Sequence, residues 1–210
     1  GTMFIDWVTV RLERNHCPDW GGWRHVSNWG DRIARVCPRT GQVVLEACAW
    51  ESVRSDSHQV AVRAALDSLW IQGSPGRVLG SGDTVFSEAV GLDLFAAVRS
   101  MVDFVGRRNC WAPLPEPRMW IVSRIDVTQN YDLGGVANVR VALSELRGTE
   151  GGRYRVSQQA GDTVYWSHNS RLRSGKAYAK GPHLRYLMKQ RKYQCYQYSA
   201  AEMKYEIRLL

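Results

Sequence analysis

Two cysteines in CxxC spacing occur nowhere in this sequence, and the five present (Cys17, Cys37, Cys48, Cys110, Cys195) are an odd number. That leaves neither a disulfide framework nor a zinc site to read, and a reducing cytoplasm is the simplest setting. Long apolar runs are missing as well: none approaches the roughly 20 residues needed to span a bilayer. The start carries no signal-peptide pattern, so no membrane attachment is expected, and Gly1-Thr2 ahead of Met3 read as a cloning scar. Internal repeats and low-complexity segments are also absent, which sets aside solenoids and biased tails. What is there suffices for a core: 210 residues, 44% of them hydrophobic, fit one large domain or two intimately packed lobes.

Charge is unevenly spread. The net is +8, yet residues 1–150 hold 16 basic against 17 acidic residues. Residues 151–210 hold 12 Lys or Arg against three acids, Asp162, Glu202 and Glu206. A surface that binds a polyanion requires such an excess, and a solvated cationic face that aids solubility would look the same.

The segments 3–13 (MFIDWVTVRLE), 42–53, 58–65 and 68–72 read as strands, with a loop over 15–30 and a glycine-rich connection over 73–83. Val90, Leu94, Val98, Met101 and Val105 recur at helical spacing, which predicts a helix from Ser87, as N-cap, to Arg107. Three prolines in WAPLPEP (111–117) mark a boundary between an N-terminal lobe, 1–110, and a second lobe, 111–210. Beyond it come a strand (119–129), a helix (134–147), two strands joined by a basic turn (162–168 and 174–181), a helix (183–200) and a last strand (203–210). Hairpins with intervening helices predict an α+β fold around a mainly antiparallel sheet.

Three of these strands break their apolar alternation on one side. Period two puts Arg124 and Asp126 together, then Lys176, Tyr178 and Lys180, then Lys204, Glu206 and Arg208. Tyrosine is a weak nucleophile until a base, metal or cation favours the phenolate, and a phosphodiester under attack gathers charge that metals and cations stabilise. Hard cations such as Mg²⁺ and Mn²⁺ take oxygen ligands, so two carboxylates beside a tyrosine suit phosphoryl transfer. The same pattern also describes ordinary ion pairs of Asp126 with Arg124 and of Glu206 with Arg208.

Four segments resemble a known family: MFIDWVTVRL, SPGRVLGSGDTVF (74–86), SRIDVT (123–128), and DTVYWSHNSRLRSGKAYAKG (162–181) followed by YEIRL (205–209). They are similar, in the same order, to the replication initiators of filamentous bacteriophages, which nick the viral duplex to start rolling-circle synthesis. The order R-x-D, then T-x-Y/W…Y-x-K, then E-x-R-L also looks like that of plasmid rolling-circle initiators. The resemblance implies that Tyr178 is the tyrosine linked to the 5′ phosphate, that Lys180 steadies the phosphate or the leaving group, and that Asp126 and Glu206 bind Mg²⁺ or Mn²⁺. Beside these, Arg124 and Arg208 contact DNA or orient the carboxylates, and Arg171, Arg173 and Lys176 of the cationic last third are read as further DNA contacts. The partners it implies are origin DNA, partly single-stranded, and a host helicase, in the host cytoplasm. Many related nickases carry a His-hydrophobic-His metal motif. None exists here, and His168 and His183 stand too far apart to imitate it.

Other roles stay open on the residues alone. Tyr186 is the second choice of nucleophile. Tyr193, Tyr196 and Tyr198 lie among Arg185, Lys189, Arg191 and Lys192, which suits stacking on single-stranded DNA or packing of a helix on the sheet. Ser74, Arg77 and Gly80 suit phosphate contacts or a structural loop. A non-catalytic origin-binding or repressor protein and a transposase- or relaxase-type nickase are the competing functions.

Overall fold

A computed structural model describes residues 2–54, 59–79, 91–111, 113–149, 156, 162–183 and 202–209, with backbone alone for Arg54, Gln59 and 202–209. Its frame follows from alternation in β1 (Phe4–Glu13). Val8, Val10 and Leu12 are completely buried on one face, while Trp7 and Arg11 are half-buried on the other. The neighbouring strands β5 (Gln59–Ala64) and β6 (Ser68–Gly73) bury Val60, Val62, Leu69 and Ile71 the same way. Each such side chain contributes roughly 1.5–3 kcal/mol by leaving water.

Five further strands join these three: β4 (Glu51–Arg54), β7 (Ile121–Asp132), β8 (Thr163–Trp166), β9 (Arg173–Ala179) and β10 (Glu202–Leu209). The eight form one sheet in the order β4-β5-β6-β1-β7-β10-β9-β8, and every pairing in it is antiparallel. The fold is α+β around an antiparallel sheet, as the sequence predicts.

The two long helices among the described residues cover the same face. α3 (Leu94–Arg108) turns Ala97, Val98, Met101, Val102 and Val105 onto the core of β1, β5 and β6. α4 (Val136–Arg147) brings Val139 and Leu143 against Val164, Trp166, Ala177 and Ala179. Between 1–110 and 111–210 the sheet is continuous, because β1 pairs with β6 on one side and β7 on the other.

Local chemistry accounts for the departures from expectation. The helix read from Ser87 is seen from Leu94 onward: Gly91 turns the chain at φ +56°, and the Asp93 carboxylate accepts from the Ala96 N–H at 2.9 Å as N-cap. Ser87 and Val90 lie outside the described residues. The single strand read over 42–53 is two, since β3 (Val43–Cys48) pairs with β2 (Arg32–Val36) as a separate exposed ribbon while β4 joins the main sheet. The connection over 73–83 holds a short helix, α2 (Pro75–Leu79), and the loop 15–30 holds another, α1 (Trp23–Val26). Among the described residues no helix is long and apolar enough to cross a membrane.

Candidate active site

The face opposite α3 and α4 carries the polar rows. Strand β7 sends Ile125 to the core and leaves Arg124, Asp126, Thr128 and Asn130 on the other side. That side is nonetheless buried: Asp126 is 2% exposed, Thr128 1% and Asn130 6%. Arg124 grips Asp126 in a fork, donating from Nε to Oδ1 at 2.9 Å and from Nη2 to Oδ2 at 2.6 Å. The ion pair with Arg124 is therefore present. A carboxylate offers about four lone-pair sites, so the fork alone does not saturate it. The Arg124 guanidinium also lies 5.6 Å from the Trp7 ring centroid.

Thr128 and Asn130 are absent from the sequence-based set, and they are the anomaly of the site. The Thr128 Oγ1 and both amide atoms of Asn130 are buried with no hydrogen-bond partner among the described residues. Leaving such groups unsatisfied costs roughly 1–3 kcal/mol each, so their retention needs an explanation. The signal available in the sequence is the alternation of β7 itself, continued beyond Asp126 through Thr128 to Asn130.

Register assembles the rest. Asp126 stands opposite Trp7 on β1 and Arg208 on β10, and Arg208 stands opposite Ser174 on β9. One row along, Thr128 faces Glu206, which faces Lys176; one further, Asn130 faces Lys204, which faces Tyr178. Directly opposed residues share a face, so Asp126, Glu206, Lys176 and Tyr178 occupy positions on one side of the sheet. Standard strand spacings give Cα separations of about 8 Å from Asp126 to Glu206 and again from Glu206 to Tyr178, but roughly 16 Å from Asp126 to Tyr178. Glu206 is the middle position.

Tyr178 is 9% exposed and Lys180 is 7% exposed. Lys176 Nζ lies 5.3 Å and Lys180 Nζ 5.8 Å from the Tyr178 ring centroid. The His183 ring stands edge-on to the same ring at 5.3 Å, with 85° between planes. Lys180 opens a helical turn over 180–183. A tyrosine ring flanked by cationic side chains, on the face that also carries the oxygen ligands of β7, suits handling of a phosphate ester.

Not every candidate joins this group. Arg173 stands opposite Leu209 and so occupies the helix-covered side, at an exposed end of β9, and Arg171 is exposed in the preceding turn. Tyr186, Tyr193, Tyr196 and Tyr198, and the basic residues among them, lie outside the described residues, as does Gly80. Ser74 is buried and Arg77 exposed. Among the described residues no three His, Cys, Asp or Glu side chains converge.

An α+β protein whose single large antiparallel sheet presents tyrosine, lysines and a carboxylate on one face has parts suited to a phosphodiester substrate. The comparisons name the family: residues 3–209 match the model for the N-terminal part of the phage replication-associated protein, and the chain belongs to that family. It is a rolling-circle replication initiator of the filamentous-phage type. No curated protein sequence matches the chain. A solved structure similar to it is the rolling circle replication initiator protein from Geobacillus stearothermophilus, at 12% identity and a TM-score of 0.40, covering 99% of this chain and 74% of that one. A likeness of that size leaves the fold to be argued from this chain's own strands.

Proposed function

We propose that the chain nicks and rejoins one strand of a replication origin through a covalent 5′-phosphotyrosine. Tyr178 Oη attacks the scissile phosphorus, the bond from phosphorus to the 3′ oxygen breaks, and the departing 3′ oxygen takes up a proton as the primer hydroxyl. Attack by a 3′-OH on the phosphotyrosine reverses the exchange, so joining needs no nucleotide cofactor. Lys180 and Lys176 neutralise charge that gathers on the phosphate. The observation that carries this reading is the Tyr178 ring, held within 5.3 to 5.8 Å of two lysine ammonium groups on the face that carries Asp126.

The donor set fits a hard cation. Asp126, Glu206 and the orphaned hydroxyl of Thr128, which stand at neighbouring positions, are all oxygen ligands, the preference of Mg²⁺ and Mn²⁺. When bound by Asp126 and Glu206, such an ion supplies charge stabilisation to the phosphate oxygens. Arg124, Arg208 and Lys176 hold DNA along the same face, and Arg171 and Arg173 hold it at the hairpin end. Origin DNA, partly single-stranded, is the substrate in the host cytoplasm, and a host helicase is the downstream partner. The catalytic groups belong to lobe 111–210, with 1–110 as the supporting lobe.

The test is incubation with supercoiled origin plasmid and Mg²⁺ or Mn²⁺, followed by isolation of a protein–DNA adduct and peptide mapping. An adduct on Tyr178 that vanishes in Tyr178→Phe supports the reading. Nicking retained by Tyr178→Phe transfers the role to another tyrosine, Tyr186 first. Origin binding without nick or adduct leaves a non-catalytic origin-binding or repressor protein.

A further inference from the structure

The same face continues past the catalytic rows onto β1, β6, β5 and the residue before β4, where it carries an alternation that the nicking chemistry does not use. Trp50, Arg63, Trp70 and Arg11 follow one another across the sheet, with Arg63 opposite Trp70 and Trp70 opposite Arg11 in register. The Arg63 guanidinium lies 5.0 Å from the Trp50 ring centroid and 4.6 Å from that of Trp70, and Arg11 lies 5.3 Å from Trp70. Four residues along β1, Trp7 carries Arg124 at 5.6 Å and stands opposite Asp126. All are partly open to solvent, Trp50 at 38%.

We propose that this Trp–Arg ladder is a track for single-stranded DNA, leading from the Asp126 row across the N-terminal half of the sheet. The proposal rests on the reading of the chain as a DNA-nicking initiator. A guanidinium set against indole faces keeps its in-plane N–H donors for a phosphate, and its rotamer is fixed before the ligand arrives. Arg11 gives only one of its five donors to Glu13, at 2.8 Å. Arg63 has no carboxylate partner among the described residues. The indole surface that the arginines leave uncovered, most of it on Trp50, stacks only on bases that are themselves unstacked, so the track takes a single strand rather than a duplex, and without regard to sequence. From Trp50 to Arg11 the row crosses three strand gaps, roughly 14 Å, and Trp7 lies about 13 Å further along β1. That reach covers several nucleotides flanking the scissile phosphate.

The experiment measures anisotropy of a labelled oligothymidylate, and of a duplex of equal length, on wild type, Arg63→Gln and Trp50→Leu/Trp70→Leu. The double variant should weaken oligothymidylate binding on the order of 5- to 100-fold while duplex binding changes little. Arg63→Gln should flatten the salt slope by about one. Folded variants, checked by melting temperature, that bind oligothymidylate as wild type does would overturn the track, as would an equal loss for duplex. Capture of an acidic protein in place of DNA would overturn it too. Should the double variant not fold, Trp50→Leu alone, at the exposed end of the row, carries the test. Nicking of the origin plasmid is read separately: wild-type nicking with unchanged binding sinks the track alone, and ladder-dependent binding without nicking sinks the catalytic reading alone.

Discussion

The Arg124–Asp126 fork makes an asymmetric prediction. Asp126 is 2% exposed, whereas the Arg124 side chain is 26% exposed. Removing the arginine takes two short hydrogen bonds from a carboxylate that water scarcely reaches. Removing the charge of the carboxylate leaves a guanidinium that can rehydrate through its open quarter. Breaking a buried pair typically costs 3–5 kcal/mol, and the partial exposure of Arg124 lowers that to about 3 kcal/mol for Arg124→Ala. Asp126→Asn keeps the shape and one acceptor oxygen and should cost about 1–2 kcal/mol. At about 2–4 °C per kcal/mol for a chain of this size, Arg124→Ala should melt roughly 6–12 °C below wild type and Asp126→Asn a few degrees below.

Metal sharpens the contrast. If Asp126 holds Mg²⁺ or Mn²⁺, the fork competes for the same oxygens, and an ion at about 100 times its Kd stabilises the folded state by about 2.7 kcal/mol. Added Mn²⁺ should therefore raise the melting temperature of Arg124→Ala more than that of wild type, and that of Asp126→Asn least. Calorimetric melts with and without Mn²⁺ read both effects. An Arg124→Ala protein melting within about 2 °C of wild type would refute the buried-pair reasoning. A metal shift as large in Asp126→Asn as in Arg124→Ala would remove Asp126 from the ligand set.

Asn130→Leu replaces an unsatisfied buried amide by an apolar side chain of similar size, so it should leave stability unchanged or raise it by about 1 kcal/mol while slowing nicking at least tenfold; melting and nicking assays on one preparation check this, and unimpaired nicking would make Asn130 merely structural. Replacing Arg171 and Arg173 together should flatten the salt dependence of duplex binding by about two phosphate equivalents, measured as log affinity against log salt. The Cys37 thiol is held below its usual range chiefly by a hydrogen bond from the Thr40 side chain, while burial, with Asp19 nearby, pushes Cys17 up. The thiolate is the reactive form, so iodoacetamide labelling, followed by mass spectrometry, should rise at a lower pH for Cys37 than for Cys17; the reverse order would refute it.

Strand identity is legible wherever alternation is clean: the reading of 3–13 corresponds to Phe4–Glu13, and that of 68–72 to Ser68–Gly73. It fails where a chain break needs only local geometry. Nothing apolar distinguishes Ala49-Trp50 from the strands on either side, so β3 and β4 read as one although they join different sheets. The start of α3 escapes the periodicity for a related reason, because helical spacing does not register the positive φ at Gly91 or the extended Asp93 that caps Leu94. At the candidate site alternation marks Arg124 and Asp126 as sharing a polar face, but alternation alone does not distinguish a buried polar face from an open one.

The burial of that face changes what the alternation means. On β7 the polar side chains Asp126, Thr128 and Asn130 are more enclosed than the apolar Ile125 and Val127 beside them. A strand that serves only as scaffold gains by the opposite arrangement, since every buried polar group gives up water. The fork from Arg124 compensates Asp126, but among the described residues nothing compensates Thr128 Oγ1 or the Asn130 amide. Their register partners on β10, Glu206 and Lys204, are the positions that lead across to Lys176 and Tyr178 on β9. The unsatisfied atoms thus mark the line from the carboxylate to the tyrosine. A ligand rich in oxygen or charge along that line would satisfy groups the fold leaves unpaired, and the stability given up on β7 becomes binding free energy for that ligand.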